Sequence, residues 1–122
     1  MSLPVRTVQR GTAGVVTGRE PGTVELTGIM REAEVASWLA PLFEELHRSA
    51  VMSAMRMVVL DLRKLEYANA AVWTCLVRWV KLLREDPESR YTLRVLSEPT
   101  FKWQQVGMSA LRVFGADRLI VE

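Results

Sequence analysis

Apolar positions recur along this chain with two periods, and the switches between them lay out its elements. Thr23 to Met30 (T-V-E-L-T-G-I-M) sets Val24, Leu26 and Gly28 on one side and Glu25 and Thr27 on the other. That two-residue period is the mark of a half-buried strand. Ala13 to Arg19 precedes it, and Glu20-Pro21-Gly22 between them is a turn signal, so the two segments read as a hairpin. The stretch before them, within residues 1–12 and chiefly Val5 to Thr12, either adds an edge strand or frays.

The period then lengthens. In residues 33–50, Val35, Leu39, Leu42, Phe43 and Leu46 form one stripe of a helix. Pro41 removes one backbone bond inside that stripe, which predicts a kink or a helix that starts near it. Met55 to Leu65 contains Met57-Val58-Val59-Leu60, closed by Asp61, an unbroken apolar run that suits a central strand covered on both faces. A second helix is expected from Asn69 to Arg84, with Val72, Leu76, Trp79, Val80 and Leu83 inward and Thr74, Arg78, Lys81 and Glu85 outward. Asp86-Pro87-Glu88-Ser89 ends it, and Tyr91 to Leu96 returns to the strand period with Leu93 and Val95 on one face.

Thr100, just after Pro99, reads as the N-cap of a third helix. Trp103, Val106, Ala110, Val113 and Phe114 are its expected buried stripe and Gly115 its C-cap. Leu119-Ile120-Val121 makes a closing strand. The order β-β-α-β-α-β-α-β predicts an α/β domain over residues 1–122, a mixed sheet with an opening hairpin and about three helices. Val58, Leu60, Leu76, Val80, Leu93, Val95, Val106 and Ala110 are its expected core.

Composition narrows what such a domain does. With 122 residues, 49% of them hydrophobic, the chain can bury a core without metal or disulfide. Lys plus Arg is 16 against 14 for Asp plus Glu, and a net charge of +2 implies no polyanion partner. One cysteine, Cys75, and one histidine, His47, exclude an intramolecular disulfide and a Cys/His zinc cluster. No apolar run reaches the roughly 18 residues of a membrane span, and no basic leader opens the chain. The expectation is a small cytoplasmic domain that contacts neither nucleic acid nor membrane and needs no cofactor.

Convergent titratable groups are scarce. His47, near the end of the first helix, reads as a partly exposed cation meeting the helix dipole, with no nucleophile motif beside it. Cys75 reads as a small hydrophobe inside the second helix. The seven glycines form no phosphate-binding loop. Asp61 follows a buried strand directly, the place where α/β sheets collect sites, although a turn-stabilising or helix-capping carboxylate accounts for it as well. Trp38, Trp79 and Trp103 fall on or beside helical stripes and read as core. Trp73, in the first turn of the second helix, is the exception: exposed, it would mark a contact surface. The cations of Arg63-Lys64 and of Arg78, Lys81 and Arg84 are interspersed with Glu66, Glu85 and Asp86, as on a solvated face.

The stretch Val58-Val59-Leu60-Asp61-Leu62-Arg63-Lys64-Leu65-Glu66-Tyr67-Ala68-Asn69-Ala70-Ala71-Val72-Trp73-Thr74-Cys75-Leu76 resembles the central signature of STAS domains, the anti-sigma factor antagonists and their relatives. That family shows an apolar strand ending in D-[LF]-[SR], a loop closing on an aromatic, and D-S-S-G-[LI] opening a helix. Asp61-Leu62-Arg63, Tyr67 and Leu76 match those features, and Phe101 to Met108 looks like the third helix of a divergent bacterial subgroup found beside kinase-like regulators. The departure is as specific as the match. Where the family carries its phosphorylated Ser, this chain has Asn69-Ala70-Ala71-Val72. Asn69 can cap the helix as the family's Asp does, but neither Ala70 nor Ala71 has a hydroxyl to take phosphate, and no phosphorylation is expected there.

The resemblance implies a non-enzymatic regulatory module that docks on an anti-sigma factor or kinase-like ATPase. Its contact surface would be the loop residues Arg63, Lys64, Glu66 and Tyr67 with Asn69, Ala70, Ala71 and Trp73 at the start of the second helix. A homodimer is compatible with it. The alternative is a small-molecule or nucleotide sensor working at the same strand ends, for which the sequence offers no phosphate loop.

Overall fold

The computed structural model describes Leu3 and residues 5–122; Met1, Ser2 and Pro4 lie outside the described residues, as does the side chain of Ala116. Strands β1 (Arg6–Arg10), β2 (Ala13–Thr17) and β3 (Thr23–Met30) open the chain. Helix α1 (Val35–Met52), strand β4 (Met57–Ala68), helix α2 (Ala70–Glu85), strand β5 (Thr92–Leu96), helix α3 (Lys102–Gly115) and strand β6 (Leu119–Val121) follow. The expected hairpin is β2–β3, antiparallel with Val15 opposite Leu26, and β1 adds an antiparallel edge with Val8 opposite Val15. Its turn needs Gly22, whose φ of +72° is costly for any residue with a Cβ. The conformation lets the Gly22 carbonyl accept from the Val59 N–H at 2.8 Å, tying the turn to β4.

From β3 onward the pairing is parallel, and the sheet order β1-β2-β3-β4-β5-β6 is the order of the chain. Parallel crossovers are right-handed, so three of them stepping in one direction lay all three helices on one face. Against that face lie Val15, Val24, Leu26, Val58, Leu60, Leu62, Leu93 and Val95, each at most 1% exposed. The other face carries Thr23, Glu25, Asp61, Arg63 and Arg94 around a concavity, and no helix among the described residues packs over it. The expectation of a strand covered on both sides is corrected accordingly: Met57 is 41% exposed and Val59 half-buried. An apolar run alone does not distinguish two covered faces from one.

Helix α1 begins at Val35 and runs through Pro41, which sits exposed on its outer face, so it does not start near the proline. α2 has the expected register, and Val72, Leu76, Trp79, Val80 and Leu83 are all buried. α3 does not. Its buried residues are Gln104, Met108, Leu111 and Gly115, whereas Val106, Ala110, Val113 and Phe114 face solvent and Trp103 is half-buried. Val106 and Ala110 are therefore absent from the core. Thr100 does not cap α3: its N–H and hydroxyl both donate to Glu98 Oε1. Gly115 has an ordinary helical φ of −84°, and its service is close approach, since a Cβ there would stand 2.4 Å from that of Leu119.

His47 is buried, which corrects the partly exposed cation expected from the sequence. Trp79 Nε1–H can only donate, and it donates to Tyr91 Oη at 2.8 Å. The Asp86 carboxylate can only accept, so His47 Nε2 donates to its Oδ2 at 2.8 Å, and in the neutral imidazole Nδ1 then accepts from the Tyr91 hydroxyl at 2.6 Å. Burial holds the Tyr91 phenol well above its usual range, so it remains a donor. The network joins α1 and α2 to the residue that precedes β5.

Candidate functional site

The last third of β4 decides where the candidate residues point. β3 and β4 fall out of step twice: two steps from Glu25 to Thr27 oppose three from Asp61 to Lys64, and one from Gly28 to Ile29 opposes two from Leu65 to Tyr67. Each irregularity gives β4 an extra residue, as in a β-bulge, and turns the strand. Burial then repeats every three residues, with Leu62, Leu65 and Ala68 buried and Arg63, Lys64, Glu66 and Tyr67 exposed. The segment expected to be a loop is strand, and its pairing is irregular instead.

This division separates the expected contact residues into two groups. Arg63 and Lys64 line the concavity on the open sheet face, together with Arg19, Glu25, Asp61 and Arg94. There the Arg63 guanidinium grips Asp61 through two bonds of 3.0 and 2.9 Å, and the Arg63 N–H donates to the same carboxylate at 3.0 Å. Asp61 is thus a structural partner of Arg63, neither cap nor free base. The bonds from Arg63 hold its carboxyl below the usual carboxylate range. A carboxyl with a depressed folded pKa contributes stability that is complete above the ordinary value of 3.8 and is lost as pH falls through the folded value. Asp61→Asn is expected to reduce the difference in stability between pH 7 and strongly acidic solution, measured by chemical denaturation at each pH. An unchanged difference would assign the acid sensitivity to other carboxylates.

The second group gathers at the end of the sheet where α2 and α3 begin. Asn69 caps α2, its Oδ1 accepting from the Val72 N–H at 3.2 Å while its Nδ2 donates to the Glu32 carbonyl at 3.1 Å. Ala70 is exposed and Ala71 half-buried in the first turn. The Thr74 hydroxyl is turned along the helix, donating to the Ala70 carbonyl at 3.0 Å. Trp73, which would mark a contact surface if exposed, is half-buried, because α3 lies across it at Gly107. A Cβ on Gly107 would come within 2.4 Å of the indole, so the glycine, unfavourable inside a helix, is what admits the contact.

Trp103 is the hub of the aromatic surface that results. Phe101 stacks with it at 6.0 Å, Tyr67 lies tilted at 6.0 Å, and Trp73 meets it edge-on at 6.2 Å. These separations suit favourable aromatic packing, and Tyr67 remains 45% exposed. Trp103 and Phe101 were not among the candidates drawn from the sequence, although F-K-W directly after Pro99-Thr100 carries the signal. Gln104, fully buried, fastens α3 beneath them: its Nε2 donates to the carbonyls of Leu62 and Leu65 at 2.7 and 3.0 Å, and its Oε1 accepts from the Glu98 N–H at 2.9 Å.

Among the described residues no group of His, Cys, Asp and Glu is arranged to hold a metal, and no helix is long and apolar enough to cross a membrane. Cys75 is buried, and desolvation pushes its thiol pKa up, as for a small core side chain.

No family model and no curated protein matches the sequence. Solved structures do match the fold. SiaC of Pseudomonas aeruginosa is similar over 100% of this chain and 98% of its own, at 13% identity and a TM-score of 0.68. A chain in the crystal structure of the diguanylate cyclase SiaD in complex with its activator SiaC, also from Pseudomonas aeruginosa, is 13% identical. That match covers 95% of this chain and 97% of the other, with a TM-score of 0.64. An anti-sigma factor antagonist from Mycobacterium paratuberculosis is 12% identical over 98% of this chain and 86% of its own, with a TM-score of 0.52. At such identities the likeness speaks to architecture, and the architecture is clear: the chain has a STAS-like fold.

Proposed function

We propose that the chain is a non-enzymatic regulatory module that binds a protein partner through the end of the sheet where α2 and α3 begin. The observation that carries the reading is the aromatic surface of Tyr67, Trp73, Phe101 and Trp103 beside the bare first turn Asn69-Ala70-Ala71. Partly exposed aromatic rings next to small residues combine a large contact area with room for another backbone. Two of the structures with this fold support the reading, one an activator bound to a cyclase and one an antagonist of an anti-sigma factor. The partner proposed here is of that regulatory kind, an anti-sigma factor, a kinase-like ATPase or a nucleotide cyclase. Docking proceeds without phosphate at Ala70 or Ala71, since neither has a hydroxyl. Glu66, exposed beside Tyr67 on β4, belongs to the proposed surface, whereas Arg63 and Lys64 lie outside it in the concavity on the open sheet face.

The test uses Ala70→Glu, which adds bulk and charge at an exposed first-turn position while favouring the helix slightly through its dipole. Isothermal titration against such a partner is expected to show an affinity loss of about 1–3 kcal/mol, with the melting temperature unchanged. Wild-type affinity in the variant would place the interface elsewhere. Saturable micromolar binding of a free nucleotide, with no protein partner required, would favour the sensor reading instead.

A further inference from the structure

Helix α3 carries two stripes on opposite sides, and only one of them is used within the chain. Gln104, Met108, Leu111 and Gly115 face inward. Val106 and Val113, seven residues apart, are 74% and 76% exposed, with Ser109 and Ala110 exposed between them. A seven-residue spacing returns a helix nearly to the same side, so both valines lie on the line directed away from the core. Single exposed apolar residues are ordinary. Two β-branched residues in register on a helix are not explained by helix propensity, which disfavours Val.

We propose that this outer face of α3 pairs with the same face of a second copy of the chain, the two helices running antiparallel about a two-fold axis. Setting Val106 against the second copy's Val113 brings Ser109 opposite Ala110 and places Lys102, the first residue of α3, near Asp117 in the 3-10 turn that follows the second copy's helix. Small residues then stand at the crossing, where they permit close approach of the axes. Lys102 and Asp117 are both exposed and form no ion pair among the described residues. The antiparallel register gives each an opposite charge, and symmetry repeats the contact at both ends of the seam. A parallel register would set Lys102 against Lys102 and Asp117 against Asp117, so the charges select the orientation. One helix face is smaller than the interface of a permanent dimer, and the association is therefore weak and concentration-dependent. It does not rest on the docking site proposed above.

Sedimentation equilibrium of the full chain from about 10 µM to about 1 mM reads this directly by mass action. The weight-average mass is expected to climb from 13.8 kDa towards twice that value. The double variant Val106→Glu with Val113→Glu is expected to stay monomeric throughout, with an unchanged melting curve because both side chains are exposed in the monomer. Lys102→Asp is expected to weaken the dimer at least several-fold, and adding Asp117→Lys to restore it. A single chain at every concentration, a dimer that survives both glutamates, or a charge exchange without rescue would each overturn the proposal.

Discussion

Replacing Gln104 by Leu is expected to cost about 3–5 kcal/mol of folding stability, although the two side chains are of similar size and the position is fully buried. β4 runs on to Ala68, but its pairing with β5 stops at Asp61 opposite Leu96. Beyond that point the strand has no neighbour on that side of the sheet, and the Gln104 amide supplies donors to two of its carbonyls. Leucine would leave those carbonyls and the Glu98 N–H in an apolar setting, each at about 1–3 kcal/mol, with the added apolar burial offsetting part. Because Gln104 also seats the start of α3, the Trp103 cluster should loosen in the same variant. Urea denaturation gives the stability and near-ultraviolet circular dichroism the order of the rings. A loss below about 1 kcal/mol would mean that water or backbone relaxation replaces the amide.

The second large effect is expected from Tyr91→Phe, at about 2–4 kcal/mol. Only one oxygen is removed, and no cavity of consequence is made. That oxygen accepts from Trp79 Nε1–H and donates to His47 Nδ1, both buried, and its loss leaves a donor and an acceptor facing an aromatic edge. Exchanging tautomers recovers nothing, because it would turn Nδ1–H towards the phenyl ring and give up the donation to Asp86. Tyr91→Phe combined with His47→Leu should accordingly be less unstable than the sum of the two single variants, because the network acts as a unit. Strict additivity in that double-mutant cycle would show that Tyr91 and His47 do not cooperate.

Those two residues also mark where reading the sequence succeeds and where it stops. The strand and helix order, the register of α2 and the Asn69 cap follow from local chemistry: a two- or 3.6-residue period, and a side chain able to accept from a free backbone N–H. α3 defeats the same reasoning because it has two stripes, and the more hydrophobic of them, through Val106 and Val113, faces outward. A buried glutamine looks like a surface residue until the bulged strand that requires it is in place. His47 has partners 44 and 39 positions away, so nothing near it in sequence reveals its burial. At the candidate site, Asn69, Ala70, Ala71 and Trp73 were legible as neighbours on one helix turn. That Arg63 and Lys64 face elsewhere depends on the two irregularities in pairing with β3, and strand register is a property of two segments together.

Because each strand pairs with the one before it, the sheet never has to open to admit a later segment. Folds whose first strand ends up central need segments from both sides of it to arrive in the right order, whereas here the growing edge always belongs to the most recent strand. Each helix–strand unit emerging during synthesis finds a finished template and closes a loop no longer than its own crossover, which keeps the entropy of each closure small. In chain order the antiparallel strands β1 to β3 come first, and β6, three residues long, is the last and smallest addition.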